Sequence, residues 1–128
     1  MTCVAYFDGD NTQFSILLRK LYKLDNKICI YVKDDDIQNI LSEFLWKSRT
    51  FIPHGINSDT DSKFFHMQPI WITSNLNNIN KANLIINYEN VINCIGDTVL
   101  FWNVPNSDIT QFNCTKWRYA NEKWEKIY

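Results

Sequence analysis

Hydrophobic residues in this chain alternate between short unbroken runs and stripes at helical spacing. Cys3 to Phe7 is an apolar run that reads as a buried strand. A helix follows, capped by Asn11 or Thr12, with Phe14, Leu17, Leu18, Leu21 and Leu24 on its apolar face and Asp25-Asn26 breaking it. Lys27 to Val32 is a second strand. Asp34 to Asp36 open a second helix, where carboxylates meet the positive end of the helix dipole, and Ile37, Ile40, Leu41, Phe44 and Leu45 form its stripe. Ser48 to Gln68 reads mostly as loop. Pro69 to Ser74, Leu84 to Tyr88 and Thr98 to Val104 read as three further strands, with room for a short helix between Glu89 and Gly96. Pro105 ends the fifth strand, and Ser107 or Asp108 can cap a last helix carrying Ile109, Phe112, Trp117 and Ala120.

Strands alternating with amphipathic helices predict an α/β fold. The expected form is a three-layer, Rossmann-like sandwich, with a mainly parallel sheet of about five strands and helices on both faces. No repeat or linker divides the chain, so residues 1–128 are expected to form one domain. A 45% hydrophobic, 15% aromatic composition argues against disorder. The net charge of -1 argues against a protein whose main task is gripping nucleic-acid phosphates, although it leaves room for a local basic patch. No apolar run approaches the roughly 20 residues that span a bilayer, and no signal peptide is evident, so a cytoplasmic protein without membrane contact is expected. Cys3, Cys29, Cys94 and Cys114 form no C-x-x-C pair and read as buried free thiols.

Candidate enzymatic chemistry is thin. Asp8-Gly9-Asp10-Asn11-Thr12 after the first strand matches D-x-D-x-T, which resembles the opening motif of haloacid-dehalogenase-type phosphatases, and also the start of a PIN-like nuclease. A metal-dependent phosphohydrolase or nuclease using Asp8 and Asp10 is therefore the alternative reading. Both chemistries need further carboxylates at later strand ends, and those ends are Thr73-Ser74-Asn75 and Ile86-Asn87-Tyr88. An Asp/Gly/Asn turn capping the first helix explains the motif without chemistry. Asp34-Asp35-Asp36 reads as a solvated helix start. His54 and His66 lack an acidic or cysteine partner at ligand spacing, so no metal is expected. With no G-x-G-x-x-G and no P-loop, no cofactor is expected either.

Two segments read better as surfaces for partners. Leu45-Trp46, then Phe51-Ile52-Pro53-His54-Gly55, joins a bulky helix end to a stiff extended run, because Pro53 restricts Ile52 to extended geometry. Lys116-Trp117-Arg118-Tyr119 through Lys123-Trp124-Glu125-Lys126 interleaves cations with aromatics. Such a segment can stack bases or hold an acidic, hydrophobic peptide and its terminal carboxylate. It can equally pack its tryptophans on the sheet and leave the cations in water. The sequence leaves these readings open.

Phe44-Leu45-Trp46 with Phe51-Ile52-Pro53-His54-Gly55, then Gln68-Pro69-Ile70 to Thr73, then Asn78-Ile79-Asn80 to Ala82 and Leu84 to Asn87, resemble in order and spacing the chi subunit family of bacterial DNA polymerase III. Thr98 to Val104 followed by Trp117-Arg118-Tyr119 is similar to that family's last strand and basic-aromatic final helix. Ile79 stands where the family has Pro, and the Asp8-Gly9-Asp10-Asn11 start is not typical of it. The resemblance implies a Rossmann-like, non-catalytic accessory subunit in the clamp-loader assembly, which meets DNA mainly indirectly. It implies two partners: the acidic C-terminal tail of single-stranded-DNA-binding protein, and the psi subunit or another clamp-loader or helicase-like protein. Trp46, Phe51, Ile52, Pro53 and His54 fall in the family's docking region. Lys116, Trp117, Arg118 and Tyr119 fall in its tail-binding region. Gln111 to Cys114 carry no cation where the family has one a turn upstream, and Lys116 can substitute for it.

Overall fold

The computed structural model describes residues 3–24, 26–47, 55–56, 70–74, 82–89, 98–104 and 115–127. In chain order these form β1 (Cys3–Phe7), α1 (Asn11–Lys23), β2 (Ile28–Tyr31), α2 (Asp35–Lys47), β3 (Gly55–Ile56), β4 (Ile70–Thr73), β5 (Leu84–Tyr88), β6 (Thr98–Trp102), β7 (Thr115–Ala120) and β8 (Lys123–Ile127). They make one eight-stranded sheet in the order β3-β4-β2-β5-β6-β1-β7-β8. All neighbours are parallel except β7 and β8. The fold is α/β, as the hydrophobic pattern predicts. The extra strands are β3 at one edge and the β7–β8 hairpin at the other.

Central strands buried on both faces read as unbroken apolar runs, and here they do. In β4 all four residues are buried, as are Leu84 to Asn87 in β5. On one face Ala5, Phe7, Ile28, Ile30, Ile70, Ile72, Leu84, Ile86, Leu100 and Trp102 meet Phe14, Leu17 and Leu18 of α1 and Leu41 and Leu45 of α2. Both described helices therefore cover the same face. The opposite face is buried too, through Val4, Val99 and Phe101 in one cluster and Cys29 and Ile85 in another, as a three-layer arrangement requires. The Cys29 side chain is buried.

Phe14 fixes α1 against the sheet by stacking on Trp102, with ring centroids 3.8 Å apart and planes 6° from parallel. The cap of α1 lies one residue before Asn11 and two before Thr12, the two caps expected. Asp10 is the N-cap, its carboxylate accepts from the Gln13 amide, and the Gln13 side chain accepts from the Asp10 amide. In α2 the Asp34 carboxylate accepts from the amides of Asp36 and Ile37, consistent with the acidic helix start. The possible helix over Glu89 to Gly96 lies outside the described residues beyond Glu89.

The expected last helix is corrected where it is described. Trp117 and Ala120 lie in β7, not in a helix, while Ile109 and Phe112 lie outside the described residues. The reason is local. Thr115, Trp117 and Tyr119 are β-formers at alternating positions, and Trp124 continues the pattern in β8. Asn121 and Glu122 both take positive φ, 51° and 62°, which matches a tight hairpin turn to the strand twist.

A cleft at the carboxyl ends of β1 and β7

In open α/β sheets, ligand sites gather beyond the carboxyl ends of the strands. A cleft of about 310 Å³ lies there, across the ends of β1 and β7, lined by Tyr6, Phe7, Asp8, Ile16, Arg118 and Tyr119 together with residues of the hairpin turn. Parallel pairing sets Tyr6 opposite Arg118 and Phe7 opposite Tyr119.

Strand alternation divides the predicted tail-binding residues. Tyr119 is buried in the α1-side core and Trp117 packs against it, so Lys116 and Arg118 face the other side of the sheet. The four residues of the expected tail-binding region are thus split between the two sides of the sheet. Only Arg118 and Tyr119 meet in the cleft, because it wraps around the strand ends and draws on both faces. Arg118 is exposed and faces Glu125 across the hairpin, but among the described residues it makes no ion pair. Tyr119 contacts the Phe7 ring edge-on at 5.9 Å and the Trp124 ring at 4.9 Å.

The sequence reading missed Lys20. Its ammonium donates to the Tyr119 hydroxyl at 3.0 Å and lies 5.7 Å from the centre of that ring. The Tyr119 hydrogen bond holds the Lys20 pKa above its ordinary value. The two residues are 99 positions apart, so only the β1–β7 pairing brings them together.

Asp8 is exposed on the cleft rim, and Asp10 is engaged as a helix cap. Among the described residues no three of His, Cys, Asp and Glu group closely enough to hold a metal ion. Trp46, on the last turn of α2, is 51% exposed, whereas Phe51, Ile52, Pro53 and His54 lie outside the described residues. Among the described residues no helix is long and apolar enough to cross a membrane.

The family model described as DNA polymerase III chi subunit, HolC, matches residues 8–123 of the 128. The chain belongs to that family. The match begins at Asp8 on the cleft rim and runs through α1 and all of β7, so it includes Lys20, Arg118 and Tyr119. A replication accessory role follows for this chi-family protein. No curated relative matches the chain.

Proposed function

We propose that this chi-family protein is a non-catalytic adaptor. It links the clamp loader to single-stranded-DNA-binding protein by holding that protein's acidic C-terminal tail. The observation that carries this reading is the cleft in which the exposed Arg118 guanidinium stands beside Phe7, Ile16 and Tyr119. A peptide ending in apolar residues and a free carboxylate needs a cation beside an apolar wall, and a guanidinium can take both carboxylate oxygens. Lys116 and Trp117 would then act on adjoining surface, outside the cleft. Asp8 and Glu122 also line the cleft and repel further negative charge, so the expected complex is modest in affinity and sensitive to salt.

Psi or another clamp-loader or helicase-like protein would dock through Trp46 with Phe51, Ile52, Pro53 and His54. This leaves DNA contact mainly to the partners and places the protein in the cytoplasm.

A labelled peptide copying the tail tests the reading at low and moderate salt, against a control lacking the terminal residues. Saturable binding that needs those residues and weakens with salt is expected. Equal binding of both peptides would refute the assignment.

A further inference from the structure

The net charge of -1 conceals a segregation of charge. Helix α1 contains Arg19, Lys20 and Lys23 and no acid from Asn11 to Lys23. Helix α2 is the reverse, with Asp35, Asp36 and Glu43 against Lys47. The three α1 cations border one surface groove of about 320 Å³ with Ser15 and Ile16. The basic strip then continues onto the hairpin. Lys20 reaches Tyr119, Tyr119 contacts Trp124, and Trp124 is 41% exposed. Lys126 lies opposite Trp117 in the β7–β8 register and so shares this side of the sheet.

We propose that the outer face of α1 and the α1-facing side of the hairpin form a direct contact site for single-stranded nucleic acid. Arg19, Lys20 and Lys23 meet phosphates, and Trp124 offers a ring on which a base stacks. A cationic track ending in an exposed aromatic is the arrangement that holds single strands without reading sequence. An acidic peptide is the weaker match, because it needs an apolar wall beside the cation, and among the described residues Ile16 is the one hydrophobic side chain lining this groove. The site adjoins the tail cleft, sharing Ile16 with it and touching its wall through the Lys20–Tyr119 hydrogen bond, but Arg19, Lys23 and Trp124 do not line that cleft, so substitutions there separate the two.

The test uses the full chain and a fluorescein-labelled oligothymidylate, followed by anisotropy from low to moderate salt. Binding is expected to weaken with salt, with a log-log slope of about -2 for three phosphate contacts to a single strand. The double variant Arg19→Ala/Lys23→Ala should bind at least roughly tenfold more weakly, with a slope nearer -1, and keep its affinity for the tail peptide. Trp124→Ala should weaken binding severalfold without changing the slope. The proposal is overturned if no binding appears at about 100 μM protein in low salt, the weak end of non-specific affinities. Unchanged affinity in the double variant overturns it too. So does a double variant that loses the peptide and keeps the oligonucleotide, because the strip would then be a peptide site.

Discussion

Gly9 and Asn103 hold each other by a reciprocal pair of hydrogen bonds. The Gly9 amide donates to Asn103 Oδ1 at 2.9 Å, and Asn103 Nδ2 donates back to the Gly9 carbonyl at 3.0 Å. The Trp102 indole donates to that same carbonyl at 3.0 Å. Asn103 takes a φ of 55°, which an Asn side chain tolerates better than most, and its amide donates to the Phe7 carbonyl. The Asp8-Gly9-Asp10-Asn11 turn is thereby fixed to the end of β6.

Gly9 is required there for space rather than for backbone freedom. A Cβ would lie 2.5 Å from Phe7 Cζ and 2.7 Å from Gln13 Oε1. The Gln13 side chain closes the capping box, and the Phe7 ring is buried against Tyr119. Neither yields freely. Gly9→Ala should therefore destabilise the fold by about 1–3 kcal/mol, the usual range for overpacking. Urea denaturation checks this, and a change within experimental error would contradict the packing account.

The hairpin turn offers a stabilising substitution. Glu122 has a φ of 62°, where a side chain is strained and glycine is not. Glu122→Gly should stabilise the protein by up to about 1 kcal/mol, the strain relieved outweighing the added freedom of the unfolded chain. The same change removes a carboxylate from the cleft, so tail affinity should rise with it. Thermal melting and peptide titration on the one variant read both effects.

Tyr88 gives the fold an alkaline limit. Burial, and then Glu89, push its phenol above the ordinary value of 10.0. The folded state thus holds this proton more tightly than the unfolded chain. The stability it contributes is fully present below about pH 10 and is lost as pH rises through the higher folded value. Lys20, also raised, acts in the same direction. Tyr88→Phe should lessen the loss of melting temperature above pH 10, and the wild-type absorbance change near 295 nm should include a late phenol ionisation that this variant loses.

The central strands were legible because burial on both faces leaves few residue types at those positions. Ile28 to Tyr31, Ile70 to Thr73 and Leu84 to Tyr88 could be placed from their apolar runs. The C-terminal hairpin was not, because Asn121-Glu122 lacks the Asn-Gly signature of a tight turn, and Trp117 and Ala120 also fit a helical spacing. That one difference divided the expected site, since neighbours in a strand face opposite sides. Arg118 and Tyr119 stood out in the sequence as a cation beside an aromatic. Their common cleft, and the part Lys20 plays beside it, depend on β1 pairing with β7, which no local pattern encodes.

The most direct test of the account is the affinity of the tail peptide for the wild type and for Arg118→Ala, measured at low salt. A loss of roughly tenfold or more is expected, the scale of one charge-assisted hydrogen-bonded pair. Asp8→Asn, which removes a repelling carboxylate from the same cleft, should bind the peptide more tightly. Wild-type affinity in both variants would contradict the claim that the tail binds at the carboxyl ends of β1 and β7.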